Sequence, residues 1–131
     1  TYFQADLDET ASRGMEYIPV VFPGFSWMNL KGEGNSLNSI PRNRGEFLWH
    51  QMFNAIEAGC NMVYVAMFDE IDEGTAIMKC AHTVPVGKSI FVPIEKEVPS
   101  DHYLWLTGMA GKMLRGEIPF SSGKLLGLKP F

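Results

Sequence analysis

Asn61-Met62-Val63-Tyr64-Val65-Ala66-Met67-Phe68 runs without a break into Asp69-Glu70-Ile71-Asp72-Glu73-Gly74-Thr75, and this junction decides how the chain is read. Asn61 to Phe68 is apolar at neighbouring positions rather than at alternate ones. A strand of that kind is buried on both faces, as in parallel sheets covered by helices. Four carboxylates then fall within five residues, so the strand ends abruptly in charge.

Upstream, Tyr17-Ile18-Pro19-Val20-Val21-Phe22 reads as a second strand of the same buried type, weakened by Pro19, which has no N–H to give to a ladder. Helical stretches alternate with these strands. Ala5 to Arg13 favours helix, with Leu7 and Ala11 on one face and Gly14 as its stop. Asn43 is placed to cap a second helix, with Glu46 reaching back in the manner of a capping box. Leu48, Trp49, Met52, Phe53 and Ile56 then recur at helical spacing, and Gly59 ends the run. Ser100 or Asp101 opens a last helix with Leu106, Met109, Ala110 and Met113 on one face, closed by Gly116 and Pro119. Pro23 to Arg42 reads as irregular loop, Ser89 to Ile94 as a short extra strand, and Ser121 to Phe131 as an irregular tail.

The order is helix, strand, long loop, helix, strand, long loop, helix. Such alternation predicts an α/β protein with a parallel sheet. Long loops after the strands and short ones after the helices predict a partial (β/α)8 (TIM) barrel, in which loops after strands build the site. A complete barrel takes about 250 residues, and this chain has 131. The expectation is therefore one unit over residues 1–131, forming the C-terminal portion of a barrel domain. The rest of the barrel, or a second copy of the chain, would cover its sheet edges.

Composition narrows the function. With 46% hydrophobic and 20% charged residues, the sequence is that of a packed globular unit rather than a disordered segment. A net charge of −4 without long single-sign runs argues against nucleic-acid binding and against a polybasic membrane anchor. No apolar run reaches the ~18 residues of a membrane span. The first residues lack the pattern of a signal peptide. Cys60 and Cys80 are too few for a disulfide framework. His50, His82 and His102 have no metal-ligand spacing, so no metal and no cofactor is expected. Lys31-Gly32-Glu33-Gly34-Asn35-Ser36 lacks the Gly-Lys-Ser/Thr ending of a phosphate loop, and there is no Gly-x-Ser-x-Gly elbow. Most of the methionines sit on strands or helix stripes and read as core.

The acidic cluster carries the chemistry. Like charges crowded at a strand's C-terminal end repel, which favours the protonated form of at least one of them if the site is partly buried. Glycoside hydrolysis uses such a division, with one carboxyl giving a proton while another takes one. A solvated acidic turn and a calcium or magnesium site remain alternatives, because hard cations also take clustered carboxylates.

Phe68-Asp69-Glu70-x-x-Glu73-Gly74-Thr75 resembles the Phe-Asn-Glu-x-x-Glu-Gly-Thr signature of glycoside hydrolase family 99, the endo-acting α-mannosidases and α-mannanases. The wider stretch from Tyr17 to Cys80 is similar to bacterial family 71/99-like proteins, through Phe22-Pro23-Gly24-Phe25 and through Pro41-Arg42-Asn43-Arg44-Gly45 followed by Phe47, Trp49 and Ala55. The resemblance implies a (β/α)8 barrel, a retaining glycosidase acting on an oligo- or polysaccharide, and export to the periplasm or beyond. It implies that Glu70 is the base on the sugar's own 2-hydroxyl. It implies likewise that Glu73 is the acid that protonates the leaving oxygen and then activates water. Asp69 stands where the family has asparagine, Ile71-Asp72 where it has Trp-His, and Gly24-Phe25-Ser26 where mannanases often carry Gly-Tyr-Asp. These departures bear on mannose specificity more than on hydrolysis.

Around that pair, Trp27 is read as a stacking platform for a sugar or as a loop-packing residue. Asn29 stands beside it on the same loop. Arg42 and Asn43 are read as ligands for sugar hydroxyls at the rim, with capping as Asn43's other reading. Asp69 flanks Glu70 as a further substrate-side group. The rival functions are a non-catalytic carbohydrate-binding or degenerate barrel and an acidic calcium-binding module.

Overall fold

A computed structural model of the chain describes residues 2–32 and 36–122. Its elements are α1 (Tyr2–Ser12), β1 (Val20–Val21), α2 (Met28–Lys31), a 3-10 turn (Asn43–Gly45), α3 (Glu46–Glu57), β2 (Tyr64–Val65) and α4 (His102–Leu114). The order is that of two strand–loop–helix units behind a leading helix.

The strands pair in parallel, with Val20 opposite Tyr64 and Val21 opposite Val65. Pairing extends by one bond at each end: the Tyr64 amide donates to the Pro19 carbonyl at 2.9 Å and the Ala66 amide to the Val21 carbonyl at 2.8 Å. Pro19 thus joins the ladder through its carbonyl, at the start of β1. Both strands are far shorter than the apolar runs Tyr17–Phe22 and Asn61–Phe68 predict. With two strands among the described residues, each has one hydrogen-bonding neighbour, and regular pairing stops where the two chains part.

Burial on both faces is also corrected. Val21 is 0% exposed against the helices, whereas Ile18, Val20 and Tyr64 are 50%, 55% and 51% exposed. One face of the sheet is covered and the other is not, among the described residues. The covering layer is α3 packed on α4. Val21, Leu48, Trp49, Met52, Ile77, Ile94, Tyr103, Leu106, Ala110 and Met113 form one core. Phe53 stacks on Phe120 with ring centres 4.3 Å apart, and the Trp49 indole N–H donates to the Ser121 carbonyl at 3.1 Å.

Entry into α3 differs from the capping box expected of Asn43 and Glu46. Among the described residues no side chain caps the helix; its N-cap is Gly45, at φ 93°. Asn43 and Arg44 precede it, also at positive φ (49° and 55°). Packing explains the glycine: a Cβ on Gly45 would sit 2.5 Å from Leu106 Cδ2 and 3.0 Å from His102 Nε2. The helix start is wedged against α4 too closely for a side chain. Two bonds hold the strained residue before it. The Arg44 amide donates to Glu95 Oε1 at 3.0 Å, and the Arg44 carbonyl lies 2.8 Å from His102 Nε2. Glu46 still stands in the first turn, where its charge suits the helix dipole.

α1 runs slightly earlier than Ala5–Arg13 and buries no residue fully. α4 ends as expected at Gly116, φ 71°, with the Glu117 amide returning to the Lys112 carbonyl. The loop after β1 is not structureless: α2 lies within it, and Phe25 forms an antiparallel bridge with Ile40. Ser89 to Ile94 forms no strand. Its main chain is held at Ile90 by a side chain instead of a ladder. Residues 33–35 of the phosphate-loop reading and 123–131 of the tail lie outside the described residues. Among the described residues no helix is long and apolar enough to cross a membrane.

Candidate active site

Beyond β2 the chain folds back on itself. The Ile77 amide donates to the Met67 and Phe68 carbonyls and the Met78 amide to the Phe68 carbonyl, while the Thr75 amide donates to the Glu70 carbonyl at 3.1 Å. The Thr75 hydroxyl donates to the same Glu70 carbonyl at 3.3 Å. Gly74, at φ 69°, closes this turn, and a Cβ there would lie 3.0 Å from Val92 Cγ2. Gly74 and Thr75 of the signature are thereby explained as parts of the turn's own architecture.

Three successive carbonyls of the turn are then captured by the loop after β1. Asn29 Nδ2 donates to the Asp72 carbonyl at 3.0 Å. The Ser26 amide donates to the Glu73 carbonyl at 2.7 Å. Arg42 Nε and Nη2 donate to the Gly74 carbonyl at 3.0 and 2.7 Å. Asn29 also pairs with the Ile90 main chain in both directions, Nδ2 to carbonyl and amide to Oδ1, each at 3.0 Å. Gly24 makes this possible, since a Cβ there would come within 2.6 Å of Arg42 Cγ and 2.8 Å of the Ile40 carbonyl oxygen. The two loops after the two strands are stitched into one rigid rim.

Glu73 projects from that rim as a half-buried residue lining an open cavity of ≈ 310 Å³. Its companions there are Phe22, Phe25, Trp27, Ile40, Ala66, Met67 and Thr75. The rings are braced: Phe22 meets Phe47 edge-on at 5.3 Å, Phe25 meets Trp27 edge-on at 4.6 Å, and the Lys31 ammonium sits 4.0 Å over the indole. Glu70 is also half-buried, but it does not line this cavity. One of its oxygens, Oε1, accepts the Asp72 amide at 3.1 Å. Asp69 and Asp72 are exposed.

Of the residues singled out from sequence, the structure therefore joins Glu73 and Trp27 in one cavity, with Glu70 at the back of the same turn. Asn29 and Arg42 touch the turn from behind, through its carbonyls. Arg42 is almost fully buried, its Cζ 5.0 Å from the Tyr103 ring centre, and its Nη1 has no hydrogen-bond partner among the described residues. Asn43 is exposed on a separate polar groove shared with Asn38, Arg44, Glu46, Glu95 and Glu97. Burial and the nearby Glu95 carboxylate, which accepts the Tyr103 hydroxyl, push that phenol's pKa well above the ordinary tyrosine range. Among the described residues no group of three or more His, Cys, Asp or Glu side chains converges to hold a metal ion, so the acidic tetrad is spread rather than caged.

Sequence reasoning missed Ser26, Phe22, Ile40 and Met67 as parts of the site. The signal was the apolar run Phe22-Pro23-Gly24-Phe25-Ser26-Trp27 on a loop, where solvent-facing residues should be polar. Phe22, Phe25 and Trp27 of that run wall the cavity.

Among the solved structures that match, two illustrate the shared fold. The GH99 endo-alpha-mannosidase from Bacteroides thetaiotaomicron in complex with BIS-TRIS-Propane matches with a TM-score of 0.75 and 21% identity, over 87% of this chain and 35% of that one. A second structure of the GH99 endo-alpha-mannosidase from that organism matches with a TM-score of 0.73 and 22% identity, over 87% of this chain and 33% of that one. The chain has the fold of one part of a GH99 endo-alpha-mannosidase. It spans about a third of the length of these enzymes. No protein-family model matches the sequence, and no curated protein matches it. The likeness to family 99 carried by Phe68–Thr75 is thus met in the fold. In this GH99-like fold the signature forms the turn that brings Glu73 to the cavity.

Proposed function

We propose that this chain is part of the active site of a retaining glycoside hydrolase acting on an oligo- or polysaccharide, as the C-terminal portion of a (β/α)8 barrel. The observation that carries the reading is Glu73, half-buried beside an aromatic-walled cavity, on a turn whose three carbonyls are fixed by Asn29, Ser26 and Arg42. A proton donor must be held still and partly shielded from water at a place where a sugar can sit. The rim provides the first, and the cavity provides the second.

The chemistry follows with Glu73 as acid and Glu70 as base. Glu70 takes the proton of the sugar's 2-hydroxyl as that oxygen attacks the anomeric carbon. Glu73 gives its proton to the glycosidic oxygen, the bond to the leaving group breaks, and a 1,2-anhydro sugar forms. Water then adds at the anomeric carbon while Glu73 takes its proton and Glu70 returns one to the 2-oxygen. Configuration is retained. Within this reading Trp27 offers its ring to the sugar, while Asn29 and Arg42 act as positioning residues behind the turn. Asp69, exposed on the turn, and Asn43, exposed on its own polar groove, would meet more distant hydroxyls. The remaining walls belong to the rest of the barrel or to a second copy, and an exported, glycan-rich setting suits the substrate.

Glu70 does not line the cavity that Glu73 lines, which favours a second reading, a barrel that binds carbohydrate without cleaving it. One experiment separates the two: glycan-panel hydrolysis by the complete barrel carrying this chain, wild type beside Glu73→Gln. Loss of about 10²–10⁴-fold in turnover is expected of a general acid. Unchanged turnover removes the assignment.

A further inference from the structure

On the Arg42 side of the turn lies a second cavity, of ≈ 290 Å³, for which the reaction above has no use. Its lining comes from residues 71–92 and from Arg42. It shares no residue with the cavity beside Glu73, and none of Ile18, Val20 and Tyr64 on the open sheet face borders it. Its walls are this chain's own loop, folded back over Arg42.

The charge of that lining has one sign. Among the described residues Arg42 and Lys79 are its charged members, and the others, including Ile71, Met78, Val84, Phe91 and Val92, are uncharged. Arg42 reaches the cavity with its side chain, since no sequence neighbour of it lines the same space. That side chain is almost fully buried, and its Nε and Nη2 are committed to the Gly74 carbonyl. Nη1 is left without a hydrogen-bond partner, and no carboxylate forms an ion pair with the guanidinium among the described residues. A buried cation with a free donor is costly until an anion meets it. A carboxylate suits the planar guanidinium and sets one charge against one. The uncharged walls call for an apolar body on that carboxylate, and a volume at the lower end of small-molecule sites keeps the body small.

We propose that this cavity binds a free, small monocarboxylate, its oxygens on Arg42 Nη1 and its apolar body against Val84 and Phe91. Lys79, exposed, adds attraction for the anion. The same guanidinium holds the Gly74 carbonyl, and Val92 packs against Gly74, so occupancy also steadies the turn. Binding here does not rest on Glu73 being the proton donor.

Benzoate is the probe, titrated by calorimetry into the complete barrel carrying this chain. Benzamide, the same shape without the charge, and acetate, the charge without the ring, are titrated beside it. Benzoate is expected to bind with a Kd of about 1 mM or tighter, and each control about tenfold or more weakly. Amide exchange at residues 70–75 should slow as benzoate saturates. Arg42→Met should erase the difference between benzoate and benzamide. Because that variant also loses the bonds to Gly74, Val84→Trp is the second one: it fills the cavity, leaves Arg42 in place, and should abolish benzoate binding with circular dichroism unchanged. Absence of saturable benzoate binding, or equal affinity for benzoate and benzamide, overturns the site. Benzoate binding that survives Val84→Trp overturns it too, by placing the ligand elsewhere. Unaltered exchange at residues 70–75 under saturating benzoate refutes the link to the turn. None of these readouts involves Glu73→Gln, so failure of the site and failure of the proton-donor assignment are told apart.

Discussion

Val20 and Val21 are neighbours in sequence and opposites in environment. Val21 is sealed against α3 and the core, and Val20 is more than half exposed on the other face of the same strand. The helical side of the molecule is finished: ten buried residues from β1, α3, α4 and the segment between close on one another. The far side presents Ile18, Val20 and Tyr64 to solvent. What the difference teaches is a division of labour. The core holds the fold, and the unfinished face is where the reading of a partial barrel places its missing partners.

That contrast can be broken by mutation. Trp49 is fully buried with its indole N–H satisfied, so Trp49→Ala should cost about 3–5 kcal/mol in urea unfolding. A value near zero would mean that the helical layer is not the stabilising half. Arg42 tests the link between core and site. Arg42→Leu removes two charge-assisted bonds to the Gly74 carbonyl and should cost about 2–3 kcal/mol. Amide exchange at residues 70–75 should rise before global unfolding. Uniform loosening of the whole chain would contradict a local clamp.

pH offers a third probe. Tyr103's hydroxyl keeps its proton in the fold because of burial and Glu95, and Tyr17's pKa is pushed up to about 12 by burial and its bond to Asp6. Both groups would ionise near pH ~10 in the unfolded chain. Stability should therefore be complete below about pH 10 and fall as pH rises beyond it, with Tyr103→Phe flattening the slope. A flat profile to pH 12 would contradict it. The smallest effect belongs to the open face, where Val20→Thr should change stability by no more than about 0.5 kcal/mol.

The same contrast explains what the sequence made legible. The stripes on α3 and α4 could be read because each helix satisfies its own backbone and needs one covered side. Parallel pairing could be read because the apolar runs alternate with helices. Strand length could not, since Tyr17–Phe22 and Asn61–Phe68 pair only where a neighbour stands opposite. Asn43's cap failed because the fit of Gly45 against Leu106 and His102, more than fifty residues away, set the helix entry instead. At the site, the Glu-x-x-Glu-Gly-Thr pattern located the turn. The captures by Asn29 and Arg42 were hidden, because a side chain that bonds a distant main-chain carbonyl leaves no local pattern.

The division of roles between Glu73 and Glu70 is tested most directly by changing how badly the leaving group needs a proton. In the complete barrel, hydrolysis of an oligosaccharide is compared with hydrolysis of the matching glycosyl fluoride, for Glu73→Gln and for Glu70→Gln. Glu73→Gln should regain most of its lost rate on the fluoride, while Glu70→Gln should remain slow on both. Equal losses for both variants on both substrates would contradict Glu73 as the proton donor.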